Sequence, residues 1–151
     1  MKVTKKSIDA FFATRKLAIA GVSRNPKKFG FTVFKDLKEK GFVVIPIHPE
    51  ADAIDGTPCL KSVSKLPADV SSLLIITPKS QTKDIVSEAM TMKIRNIWIQ
   101  QMSETAEALT LTQTGGVNLI SRQCIFMFAE PVKGIHKFHR NILRFFGGVP
   151  T

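Results

Sequence analysis

The residues best suited to chemistry lie in one stretch, Leu17-Ala18-Ile19-Ala20-Gly21-Val22-Ser23-Arg24-Asn25-Pro26-Lys27-Lys28-Phe29-Gly30. An apolar run ends in a glycine, a serine and the cations Arg24, Lys27 and Lys28, and a helical pattern starts at the far end. Such a segment suits a phosphate. Gly21 allows a tight turn and a close approach of backbone amides to a ligand. A helix that starts here aims its unpaired N–H groups and the positive end of its dipole at an anion. Three cations beside a glycine exceed what an ordinary strand-to-helix turn needs.

Other reactive groups are sparse. Cys124 follows the last apolar run and is the one nucleophile candidate, although a packed, inert thiol is the simpler reading. His136 and His139 stand three apart on a helical pattern with no further ligands nearby, so no metal site is read there. No Ser/His/Asp set or carboxylate pair stands out. Cys59 and Cys124 are far apart in the chain, and no disulfide is expected. The reading is of a binding site without catalysis of its own.

The elements that must position this loop follow from the pattern of apolar runs. Residues 16–20, 42–47, 70–76, 94–99 and 117–120 read as strands, with Pro46 expected to mark the end of the second. Phe29, Val33, Phe34 and Leu37 recur at helical spacing, and Gly41 reads as the C-terminal cap. Ser80 is the expected cap of a helix carrying Ile85, Val86 and Ala89. Ser103 is the expected cap of another, stopped by Gly115-Gly116. Residues 52–67 read as loop with one short helix near 60–65. Ile8, Phe11 and Phe12 suggest an N-terminal helix packed on the sheet. Strands alternating with helices imply an α/β fold, a doubly wound, five-stranded parallel sheet with helices on both faces.

Composition agrees with a single globular domain over residues 1–151: the chain is 44% hydrophobic and 23% charged, which rules out a disordered class. No apolar run is long enough to span a membrane, and no apolar segment of the export type follows the basic start, so a soluble, cytoplasmic protein is expected. The formal net charge of +10 calls for an anionic partner, whether nucleic acid, an acidic membrane or a small polyanion. Charge is uneven: from Pro131 onward there is no acid. A basic amphipathic helix is expected at about 131–146, with Ile135, Phe138, Ile142, Phe145 and Phe146 on one side and Lys133, Lys137, Arg140 and Arg144 opposite. It is read as docking on the sheet through its phenylalanines rather than as a membrane-surface helix, with self-association or a protein partner as a further use. Nucleic-acid binding through this tail is the weakest alternative, because no basic strand interleaved with aromatics supports it and tyrosine is absent.

In open parallel sheets a ligand sits beyond the carboxyl ends of the strands. A nicotinamide dinucleotide is the first candidate, but the loop is not G-x-G-x-x-G, and His48-Pro49 stands where a ribose-binding acid is expected. An NADP-dependent oxidoreductase remains as the alternative, since the basic residues suit a phosphorylated ribose.

The segment Gly21 to Gly30, with Pro46-Ile47-His48-Pro49, Thr77-Pro78 and Cys124, resembles the stand-alone CoA-binding domain proteins, which are similar to the nucleotide-binding domain of the succinyl-CoA synthetase α subunit. The resemblance spans roughly residues 16–126. It implies a Rossmann-like fold that binds CoA or acyl-CoA non-covalently, a small-molecule nucleotide ligand. By the same resemblance Gly21, Ser23, Arg24, Asn25, Lys27 and Gly30 would meet the CoA phosphates, with Val22 and Phe29 of the same loop also counted as cofactor-binding. Pro46, Ile47 and His48 would flank the adenosine, and Thr77, Pro78 and Lys79 would line the pantetheine side, with Cys124 near the thiol end. Members often carry Asn where His48 stands. In the synthetases phosphoryl chemistry rests on a histidine in a further domain. The basic tail lies outside the shared region.

Overall fold

The computed structural model describes residues 2–132, 134, 140 and 141. Helix α1 (Lys5–Phe12) leads into strand β1 (Lys16–Ala20), helix α2 (Phe29–Glu39) and strand β2 (Val43–Ile47). A hairpin of β3 (Ala53–Ile54) and β4 (Thr57–Pro58) and a 3-10 turn (Val63–Lys65) precede β5 (Ser72–Ile75). Then follow α3 (Lys79–Thr91), β6 (Asn96–Gln100), α4 (Ala106–Gln113), β7 (Asn118–Gln123) and a second 3-10 turn (Ile125–Met127).

The five long strands are parallel in the order β2-β1-β5-β6-β7. Alternate residues of each strand feed two cores. Leu17, Ile19, Leu74, Trp98 and Ile120 pack with Ile8 and Phe11 of α1 and Val33, Phe34 and Leu37 of α2. Ala18, Ala20, Leu73, Ile75, Ile97 and Ile99 pack with Val86 and Ala89 of α3 and Ala108 of α4. A sheet covered on both faces explains why its strands are short, continuous apolar runs. The sheet is doubly wound: the chain moves outward from β1 to β2, then returns to the other side of β1 and proceeds through β5, β6 and β7. At the reversal, Ile76 N–H donates to Ala20 C=O at 2.8 Å and closes the end of the β1/β5 pair.

Several expectations are corrected by tertiary context. Pro46 does not end its strand but sits inside β2, opposite Ile19. β2 is an edge strand, where a residue without an N–H is tolerated, and Pro46 C=O accepts from Leu60 N–H at 3.0 Å. Phe42 is not part of β2. Its N–H returns to Leu37 C=O and that of Gly41 to Lys38 C=O, so the two close α2 in a Schellman arrangement. Ser80 caps nothing: α3 starts at Lys79 with Pro78 as its cap. Ser103 is replaced as cap by Thr105, whose hydroxyl accepts from Ala108 N–H at 3.2 Å, because Ser103 N–H closes a turn onto Gln100 C=O. Residues 52–67 hold a hairpin turned by Asp55 and Gly56, both with positive φ, in place of the expected loop, and the short helix near 60–65 is a single 3-10 turn. Strand β7 runs past residue 120 through a bulge at Arg122, whose φ is +59°. The expected helix at 131–146 falls largely outside the described residues.

Candidate functional site

Two glycines build the site. Gly21 follows β1 with φ +99°, and a Cβ there would lie 2.7 Å from Ile76 C and 2.8 Å from Thr77 N. It is required both by its backbone and by the closeness of the β5–α3 turn. A Cβ on Gly30 would lie 2.2 Å from Gly21 O, so α2 can begin against the end of β1 because residue 30 has no side chain. Between them the loop is shaped by its own polar groups: Asn25 N–H donates to Ser23 Oγ at 3.0 Å and Lys27 N–H to Asn25 Oδ1 at 2.9 Å.

The helices differ in their capping. α1 and α4 are capped by the Thr4 and Thr105 hydroxyls. α2 and α3 start from Lys28 and Pro78 with no side-chain cap, and both starts flank the loop. Their leading N–H groups and positive dipole ends face the loop without a side-chain cap.

Two clefts open on either side of this junction, with Gly21, Ser23 and Thr77 lining both. The first, about 520 Å³, lies toward β2 and is walled by Val22, Ile47, His48, Lys61, Asp84 and Glu88 among others. The second, about 770 Å³, lies toward β6 and β7 and is walled by Lys28, Phe29, Pro78, Gln100, Met102 and Cys124 among others. Volumes of this size suit a cofactor.

Most polar groups here have fixed partners. His48 Nδ1 accepts from Glu50 N–H at 3.1 Å and Ala51 N–H at 3.0 Å, which leaves the ring proton on Nε2. Lys61 Nζ donates to the Glu50 and Ala51 carbonyls and to Asp52, and that hydrogen bond and charge hold the Asp52 carboxyl below its ordinary range. Burial pushes the Cys59 thiol up. Thr77 Oγ1 meets Thr82 Oγ1 at 3.3 Å, and Gln100 Oε1 accepts from Ile125 N–H at 3.1 Å. Arg24 and Glu50 form an exposed ion pair at 3.3 Å.

The fold gathers most of the residues singled out from the sequence. Gly21, Val22, Ser23, Ile47, His48 and Thr77 wall the first cleft. Phe29, Gly30, Pro78 and Cys124 wall the second with Gly21, Ser23 and Thr77. Arg24, Asn25 and Lys27 stand exposed on the rim and wall neither cleft; Lys28 is the loop cation that does. Pro46 is buried within β2, and Lys79 is exposed at the start of α3, so neither is a wall. Sequence reasoning passed over Lys61, Asp84, Glu88 and Met102. The Asp55-Gly56 pair was the available signal for Lys61, because a hairpin there returns the chain to the end of β2.

A family model for a CoA binding domain matches residues 15–130. The chain is 28% identical over 146 residues to the α subunit of acetate–CoA ligase (ADP-forming) II of Pyrococcus furiosus, covering 89% of this chain and 30% of that subunit. It thus spans about a third of that relative's length. Among solved structures, a conserved hypothetical protein from Pyrococcus furiosus is 35% identical with a TM-score of 0.71, covering 74% of this chain and 96% of that one. A hypothetical protein from Pyrococcus horikoshii, 23% identical, shares the fold with a TM-score of 0.79 over 87% of this chain and 94% of its own.

Proposed function

This chain belongs to the CoA-binding domain family, and from that premise we propose that it is a cytoplasmic binding module that holds CoA or acyl-CoA across the β1/β5 junction without catalysis of its own. The observation that carries the reading is the pair of clefts joined at Gly21, Ser23 and Thr77 beneath two helix starts without side-chain caps. A ligand with a diphosphate in its middle and a different group at each end fits that plan. The diphosphate lies at the junction, met by the start of α2 and by Lys28, with Arg24 and Lys27 closing from the rim. In the first cleft the His48 Nε2–H and Lys61 suit the phosphorylated ribose of the nucleoside, and Asp84 and Glu88 suit its amino group and free hydroxyl. The pantetheine arm then runs into the second cleft. A binding role is supported by the commitment of the His48, Thr77 and Gln100 side chains to hydrogen bonds with fixed partners.

Thermal shift with CoA, dephospho-CoA, NAD and NADP tests the reading. CoA at about a hundred times its Kd adds roughly 2.7 kcal/mol to stability. Stabilisation by NADP with none by CoA would overturn the proposal in favour of an oxidoreductase. Arg24→Glu combined with Lys27→Glu lowers CoA affinity about a hundredfold, two charge-assisted contacts at about 1.5 kcal/mol each, and leaves the unfolding transition intact.

A further inference from the structure

We infer that the second cleft is an acyl subsite, so that this chain prefers CoA thioesters of apolar acyl groups over free CoA, with Met102 and Phe29 as the residues that read the chain. The inference rests on the CoA reading above and specifies which form of the cofactor is held.

The large apolar side chains exposed among the described residues are Phe29, Val43 and Met102. Two of them, Phe29 at 43% and Met102 at 76% exposure, wall the same cleft. An isolated exposed apolar residue needs no explanation, but two facing one concavity offer a surface that a ligand can cover. Phe29 is held in place by edge-to-face packing on Phe126, ring centroids 5.5 Å apart. Met102 sits in the turn closed by Ser103 N–H on Gln100 C=O, with φ +75°, a conformation that favours glycine. A flexible thioether at such a position adapts to apolar ligands of varied shape. Ile76, Pro78 and Cys124 continue the wall beside the neutral Gln100 and Gln101, and among the described residues Lys28, on the side of the phosphate loop, is the one Lys, Arg, Asp or Glu lining it. The first cleft has Lys61, Asp84 and Glu88. An apolar chain therefore fits the second cleft better than the first, where Lys61, Asp84 and Glu88 stand among the apolar wall residues. Because Gly21, Ser23 and Thr77 belong to both, a CoA anchored at the loop delivers its thioester end into this cleft.

Calorimetric titration with CoA, acetyl-CoA, butyryl-CoA and octanoyl-CoA tests the inference. Affinity rises with chain length, on the order of threefold per buried methylene, so butyryl-CoA binds about tenfold more tightly than acetyl-CoA. Met102→Gly, which suits the turn's φ, flattens that ratio to within about twofold, and Phe29→Ser does the same from the other wall. Val43→Ser, on the edge strand away from both clefts, keeps the ratio. Equal affinities for all thioesters, or a ratio unchanged in both the Met102→Gly and Phe29→Ser variants, would overturn the acyl subsite while the CoA reading stands. Failure of free CoA and every thioester to bind would instead remove the CoA reading itself.

Discussion

The two clefts lie side by side at one edge of the sheet and share Gly21, Ser23 and Thr77, yet their remaining walls differ in kind. The first has His48, Lys61, Asp84 and Glu88, and several of these are tied to backbone or to a neighbouring charge. The second has Phe29, Ile76, Pro78 and Met102, with Lys28 nearest the loop. The difference has a topological origin. The first cleft is bounded by the end of β2, the hairpin return and the first turns of α3, which set Lys61, Asp84 and Glu88 beside Ile47, Val63 and Ile85. The second is bounded by the start of α2 and the chain leaving β6 and β7, which brings the neutral Gln100, Gln101 and Ser103 and the apolar Met102 to its wall. One junction therefore serves two environments, which suits a ligand that is polar at one end and apolar at the other.

The largest effect is expected where the clefts join. Gly30→Ala drives a Cβ into Gly21 O, backbone against backbone, and is expected to cost about 3 kcal/mol in urea unfolding and to abolish CoA binding in both halves of the site. A Gly30→Ala protein with wild-type stability and affinity would break the view that one close contact builds both clefts. The charge reversal at Arg24 and Lys27 comes next, with loss of affinity but not of fold. The acyl series through Met102 sharpens the contrast between the walls.

A smaller effect separates helices that start at the clefts from those that do not. Thr105→Ala removes the cap of α4 and costs about 1 kcal/mol in a denaturant titration, with CoA affinity unchanged. Ser80→Ala, inside α3, changes stability by no more than about 0.5 kcal/mol. The smallest effect is away from both clefts. Burial pushes the Glu130 carboxyl up, but hydrogen bonds from Arg140 and Val132 N–H and the charges of Arg140 and Lys40 outweigh it and hold it below the usual glutamate range. Its contribution is complete above the ordinary glutamate pKa and is lost as pH falls through the depressed one. Melting temperatures of the wild type and Glu130→Gln should therefore converge in acid and separate toward neutrality; parallel curves would remove this contact from the account.

Much of this architecture is legible along the chain. Lys16–Ala20 is a strand at both levels, because five residues rich in small and branched apolar groups between Arg15 and Gly21 have no amphipathic helical alternative. Gly41 ends α2 as expected from its freedom at φ +83°. The misreadings share one cause. Ser80 and Ser103 are good caps by type, but caps are settled by where the preceding strand lets the helix begin, and in the fold those places fall to Pro78 and Thr105. Pro46 reads as a stop because edge and centre are not distinguished by local sequence.

From residue types alone came the alternation of strand and helix, the two-sided core, and a loop with glycine and cations suited to phosphate. These follow from periodicity and backbone freedom, which are local properties. Only the tertiary structure decided that β2 is the edge, that the reversal falls between β1 and β5, and that Lys28 in place of Lys27 reaches the cleft. It also decided that Lys61 and Met102, separated by forty-one positions in sequence, stand on opposite sides of one junction. Those outcomes depend on which strands pair and which helix starts meet, and no window of the chain contains both partners of such a contact.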